Sequence, residues 1–250
     1  MEVFNITLPT NWAELTDKQL HMVYNLFVRD LSAAEVKTLC LMKWNGLKVL
    51  SQLPDKRFLI KRGKEVVPLS TRQIQQATSV LDYLDSFAPM PVRIARIGKY
   101  RALPVDFEKV PFEEFLFVEN LFQGYLNTQS DELLLQMAHV LYASDHVKPD
   151  KAQLIGIFYW MASLKQYFAG LFPNFYKPVS SNSGGNLLGS GQPVIYRQLR
   201  ESTNAMIRAL TGGDITKEAA IMKMDTWRAL TELDAKAREA EELRKATQKS

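Results

Sequence analysis

Over most of the chain the apolar residues recur at helical spacing. Leu20, Val23, Tyr24 and Phe27 fall three or four residues apart, and so do Val36, Leu39, Cys40 and Lys43, where the lysine closes the run; this is the period of one helix face. Each run has a start signal: Thr16 with Gln19 in TDKQ, and Ser32 with Glu35 in SAAE. In such a capping box the N-cap hydroxyl accepts from a free first-turn amide, and the Gln or Glu three residues on reciprocates. Asn45-Gly46 stops the second helix, since both residues tolerate a left-handed backbone. A further helix is predicted over roughly 71–87, ended by PMPVR, whose prolines forbid continuation. From 111 to 142 the pattern is helical again. Pro111 suits a first turn, Gln123-Gly124 weakens the segment and NTQSDE divides it. Asp150 caps a helix over 150–170, and another covers 194–211.

Alternation with period two is rarer. VFNITLP reads as a short strand or extended arm. RFLIKRGKEVVPL, residues 57–69, reads as a β-hairpin with Gly63 in its turn. VRIARIGKYRALP, residues 92–104, reads as a second hairpin or a loop with extended arms around Gly98. FPNFYKPVSSNSGGNLLGSGQP, residues 172–193, breaks both periods with prolines, glycines and serines and reads as a linker or loop. The expected fold is therefore mainly α. A helical globular domain over 1–172 carries one or two small β-hairpins, a flexible linker spans 173–193, and a C-terminal helical region spans 194–250. No internal repeat of 20–50 residues occurs.

Composition adds little to this. A hydrophobic fraction of 46% and a charged fraction of 23% suit a folded chain with a real core. The one cysteine, Cys40, lies in the apolar stretch LCLM, which predicts a core residue and excludes an intrachain disulfide. MEVFNITLPTNW lacks the basic and apolar regions of a signal peptide. LIGIFYWMASL, flanked by Lys151 and Lys165, is too short to span a bilayer. The expectation is a soluble protein of the cytoplasm, with no membrane partner.

The net charge of +4 is mild, yet its distribution is uneven. Lys56, Arg57, Lys61, Arg62 and Lys64 lie in the first hairpin, and Arg93, Arg96, Lys99 and Arg101 in the second extended segment. If the two stack, Lys61, Arg62, Lys64, Arg93, Arg96 and Lys99 make one basic patch able to meet phosphates or an acidic surface. A solvated polar face is the favoured reading, and a nucleic-acid partner is disfavoured.

Catalytic patterns fail in turn. GGNLLGSG has no lysine to close a phosphate loop and no strand before it. His139 and His146 are seven residues apart beside Asp145, wider than usual zinc-ligand spacing, and His21 stands apart. No nucleophile elbow appears, and Glu113-Glu114 and Glu241-Glu242 follow solvent-face spacing. No catalytic residue, cofactor or metal ligand is expected. FYWMASLKQYFAGLFPNFY holds many of the aromatics, as a core segment does.

The C-terminal stretch is the most regular. After Gly212-Gly213, Asp214 or Thr216 can cap a helix in which Ile221, Met224, Trp227, Leu230, Leu233, Ala237, Ala240 and Leu243 form a narrow apolar seam. The opposite face pairs Glu232 with Lys236, Asp234 with Arg238 and Glu241 with Lys245 at i,i+4. Residues 214–250 hold eight acids and eight bases, so this arm is neutral. Such a seam docks on its own domain, on a sister copy or on another protein's helix. LTGGDITKEAAIMKMDTWRALTELDAKAREAEE resembles the C-terminal pattern of small phage and prophage proteins encoded around the tail genes. With LTDKQL, EVKTLCLMKWNG and GKYRALP, the longer pattern resembles proteins of Bacteroidetes phages and prophages assigned to tail or virion morphogenesis. The resemblance implies a non-enzymatic assembly chaperone or virion component, working in the host cytoplasm or carried in the virion. Its partners would be other phage structural or assembly proteins, or further copies of itself. It also implies that Gly213, Asp214, Thr216, Trp227 and Leu230 belong to a protein-binding element. On the seam, Met224, Trp227, Leu230 and Leu233 are the expected partner-binding residues.

Overall fold

The computed structural model describes residues 6–176 and 192–247. Its elements run α1 (Asp17–Phe27), α2 (Ala33–Trp44), β1 (Lys48–Gln52), β2 (Phe58–Arg62), β3 (Glu65–Leu69), α3 (Thr71–Thr78), β4 (Arg96–Ile97), β5 (Tyr100–Arg101), α4 (Phe112–Thr128), α5 (Asp131–Leu141), α6 (Lys151–Leu171), α7 (Gln192–Thr211), α8 (Glu218–Met222) and α9 (Thr226–Thr247). The fold is mainly α with two small antiparallel sheets, as the periodicity predicts.

The capping boxes at Thr16/Gln19 and Ser32/Glu35 are both formed, and two more are present at Ser70/Gln73 and Asp150/Gln153. Each satisfies first-turn amides that a bare helix start leaves orphaned. Gly46 ends α2 with φ +64°. The long 111–142 run divides where Gln129 takes a left-handed φ of +55°, so α4 and α5 form an antiparallel pair. Gly124 does not break α4; it lies within it, against Leu133 of α5. The predicted 71–87 helix is α3 for one half and a 3-10 turn, Ser79–Asp85, for the other.

The predicted first hairpin is β2–β3, but a third strand, β1, pairs with β2 and gives the order β1-β2-β3. KVLSQ has no clear alternation, because all five of its residues are exposed. VFNITLP falls partly outside the described residues. Its described part, from Ile6, is irregular, although Ile6 and Leu8 pack under the sheet.

Three apolar clusters hold the chain together. The second joins α1, α2 and the 3-10 turn to Ala152 of α6. Gly156 permits this contact: a Cβ there would stand 2.9 Å from the Tyr24 ring, so α1 and α6 could not approach as they do. The third lies between α2, α3 and the inner face of the sheet, centred on Ile60 and Val67. The first and largest contains Phe107, Phe112, Phe115, Trp160 and Phe168, together with Ala229, Leu230 and Leu233 of α9.

That last membership changes the domain description. The C-terminal helices complete the core of α4–α6 rather than forming a region apart. Residues 172–176, expected in the linker, are packed: Phe172 is buried, and Asp234 of α9 accepts from Asn174 N at 2.7 Å, Asn174 Nδ2 at 2.8 Å and Phe175 N at 2.9 Å. Residues 177–191 of the expected linker lie outside the described residues.

Candidate functional site

The expected partner-binding seam requires correction. Leu230 and Leu233 are buried in the chain's own core, and Met224 and Trp227 are half-buried against it. Trp227 packs edge-on against Phe168, Phe172 and Tyr167, and its Nε1 donates to Asp106 O at 2.8 Å. The backbone is stitched down as well. Phe112 N donates to Met224 O at 2.8 Å and Thr226 N to Val110 O at 2.9 Å. Lys109 N donates to the Asp225 carboxylate at 2.6 Å. These bonds also break the expected long helix: Ile215–Lys217 is a 3-10 turn capped by Asp214, α8 ends at Met222, and α9 begins after Asp225. A narrow seam has the same period whether it docks in cis or in trans, which is why spacing alone could not tell them apart. Beyond Leu233 the helix emerges, and Leu243 is exposed.

The expected basic patch also needs correction. The three-stranded sheet packs on α2 and α3, whereas Ile97 and Tyr100 of the second hairpin belong to the α4–α6 cluster. The hairpins therefore serve different cores rather than stacking. Arg93 is half-buried, with Nε donating to Leu103 O at 2.7 Å and its guanidinium 5.8 Å from the Trp160 ring. Arg96 and Lys99 are exposed on the second hairpin, Lys61 and Lys64 on the first, and Arg62 there is half-buried.

Among the titratable groups, Cys40 is fully buried, and burial pushes its thiol up to about 12, so it is an inert core residue. The α5 helix ends before His146, so His139 and His146 do not share a helix face. The third histidine has an unforeseen role: His21 Nε2 lies 2.7 Å from Asp150 Oδ2, tying α1 to the start of α6. Among the described residues no group of three metal-ligating side chains converges.

What the structure does bring together is an apolar groove along the outer face of α4. It has two lobes, of about 570 and 270 Å³, both open to solvent. Asn120 and Thr203 line both lobes and bond to each other at 3.3 Å, joining α4 to α7 between them. Phe117 also borders both lobes and is 51% exposed. The larger lobe adds Leu103, Leu116, Val140 and Met222; the smaller runs to Leu133 and Arg200. At the rim of the larger lobe stand Glu113 and Glu114, neither with an ion-pair partner among the described residues. Burial, then the neighbouring Glu113, hold the Glu114 carboxyl above its ordinary pKa.

A signal for this groove was present in the sequence. FEEFLFVENLF carries apolar residues on more sides than one core face needs. Phe112, Phe115, Leu116, Val118 and Phe122 are buried, and Phe117 is the surplus aromatic left outside. Searches against protein-family models, curated proteins and solved structures find no match to the chain.

Proposed function

We propose that the chain is a non-enzymatic assembly protein of phage tail or virion morphogenesis, and that it receives an amphipathic, basic helix of another assembly protein in the α4 groove. The phage setting draws on the resemblance of the C-terminal stretch. The mechanism draws on one observation: Phe117 stands half-exposed between two open apolar lobes. A helix laid in a groove contributes apolar anchors one turn apart, and two lobes separated by a polar bridge accept such anchors in succession. Glu113 and Glu114, without ion-pair partners among the described residues, give the occupant its charge. A lysine or arginine beside its anchors would meet both carboxylates and offset the repulsion between Glu113 and Glu114, the smaller of the two causes that raise the Glu114 pKa after burial. The groove reverses the roles that the sequence suggests: this chain offers the receptor, and its own seam helix supports the wall behind it.

Co-expression with the products of adjacent genes tests this. One product is expected to co-purify with the wild-type chain, and Glu113→Lys/Glu114→Lys is expected to weaken its capture at least about tenfold, as a like-charge clash at an interface does. If none of them binds, or if capture ignores the charge reversal, the reading fails.

The alternative is a nucleic-acid-binding accessory protein using the basic hairpins 56–64 and 93–101, which pack on separate cores, so that the first hairpin would have to act alone.

A further inference from the structure

The positive charge of the chain is concentrated in one small module. Residues 43–72 contain eight basic and two acidic side chains, more than the whole chain's net +4. This stretch is the sheet and its flanks. Its inner face is accounted for, with Ile60 and Val67 buried against α2 and α3. The outer face is not covered by any described element. Ile60 points inward, so the alternation of β2 turns Leu59 and Lys61 outward.

The register then sets Lys48 of β1 directly opposite Lys61 of β2. Two like charges facing each other across strands destabilise a sheet. Lys48, Lys56, Lys61 and Lys64 are all exposed, and none has an ion-pair partner among the described residues. Some lysines elsewhere are neutralised, as in Lys37 with Asp82 and Asp85 at 2.7 Å and Lys165 with Glu119. Lys56 and Lys64 occupy the turns at the two ends of β2, with the Lys48/Lys61 pair between them. Lys56, Lys61 and Lys64 thus follow one another along β2, with Lys48 opposite Lys61 on one neighbouring strand and exposed Val66 opposite it on the other.

We infer that this face binds the phosphate backbone of nucleic acid. Spaced point charges along a strand match a regular line of phosphates, and they contribute affinity without reading sequence. Among the described residues the outer face carries no exposed aromatic ring for base stacking, since Phe58 packs inward, so the contact is to backbone and suits a duplex. The surface is distinct from the α4 groove, and the two can be tested apart.

The test is a titration of a short random-sequence DNA duplex at several salt concentrations. Four phosphate contacts predict a slope of log K against log salt of about −3.6, because each contact releases condensed counterions. Lys48→Gln/Lys61→Gln should make the slope shallower by about 2 and weaken low-salt binding roughly tenfold or more. The same variant should unfold at or above the wild-type temperature, because it removes a repulsive pair. Lys61→Arg should keep both affinity and slope, and Phe117→Asp should leave DNA binding as it is. The inference is overturned by a slope near zero, by undisturbed binding in Lys48→Gln/Lys61→Gln, or by no binding to DNA at low salt. Retention on anionic lipid vesicles in place of DNA would overturn it equally.

Discussion

Trp227 and Phe117 are both large aromatics on helices that enclose the same core, yet their surroundings are opposite. Three aromatic rings hold Trp227, Asp106 O accepts from its indole, and backbone bonds at Met224 and Thr226 pin its helix. Phe117 is left 51% exposed at the junction of two open lobes. The contrast separates scaffold from docking surface. An aromatic whose edges and polar atom are all satisfied within the chain has little left to offer a partner. One left over after its helix has filled the core is free to anchor one. The sheet repeats the contrast: Ile60 is spent inward, while Lys48 and Lys61 face each other outward with no ion-pair partner among the described residues.

The largest effect that would break the contrast is on stability. Trp227→Ala should cost about 3 kcal/mol or more, the range for removing a large aromatic from a core. Chemical or thermal unfolding should show it as one cooperative loss, because α9 shares its cluster with α4 and α6. If unfolding instead leaves α4–α6 at the wild-type midpoint, α9 is a detachable arm and the division into scaffold and surface is wrong.

A smaller effect is expected at Asp234, which holds Asn174 and Phe175 to α9. Burial alone would raise this carboxyl, but the hydrogen bonds from Asn174 and Phe175 outweigh it and hold the pKa below the usual aspartate value. A depressed carboxyl contributes stability in full above its unfolded pKa, about 3.9. That contribution is lost as the pH falls through the lower folded value. Asp234→Ala should therefore cost about 1–3 kcal/mol near neutral pH. Its unfolding midpoint should converge towards the wild-type value as the pH falls below about 4. A constant gap between the two down to pH 2 would show that the carboxylate charge is not what holds residues 174–175.

The legible parts of the fold were those set by local chemistry. Thr16/Gln19, Ser32/Glu35 and Asp150 announce helix starts through side chains a few residues away, and Gly46, Gly63 and Gly98 mark turns through their positive φ. β1 was not legible, because a fully exposed edge strand has no buried alternation to display. The break at Asp225 was not legible either, since it depends on Lys109 and Phe112, more than a hundred residues away in sequence. The same holds for the site. The lysines of β2 could be read, but their opposition to Lys48 is a matter of register, and the true position of Arg93 depends on Leu103 and Trp160. The groove needed α4, α5, α7 and α8 to meet. Only the surplus of apolar residues in FEEFLFVENLF pointed to it.

The smallest expected effect on stability carries the central claim. Phe117→Asp removes an exposed ring, so the unfolding midpoint should stay within about 0.5 kcal/mol of wild type, as surface substitutions do. The direct measurement is a calorimetric titration of the assembly protein captured by the wild-type chain into Phe117→Asp, with unfolding followed on the same sample. The account predicts an unchanged fold and a loss of affinity corresponding to roughly 2–4 kcal/mol, the range for a central anchor. Unchanged affinity, or a variant that unfolds, would show that the α4 groove is not the docking surface.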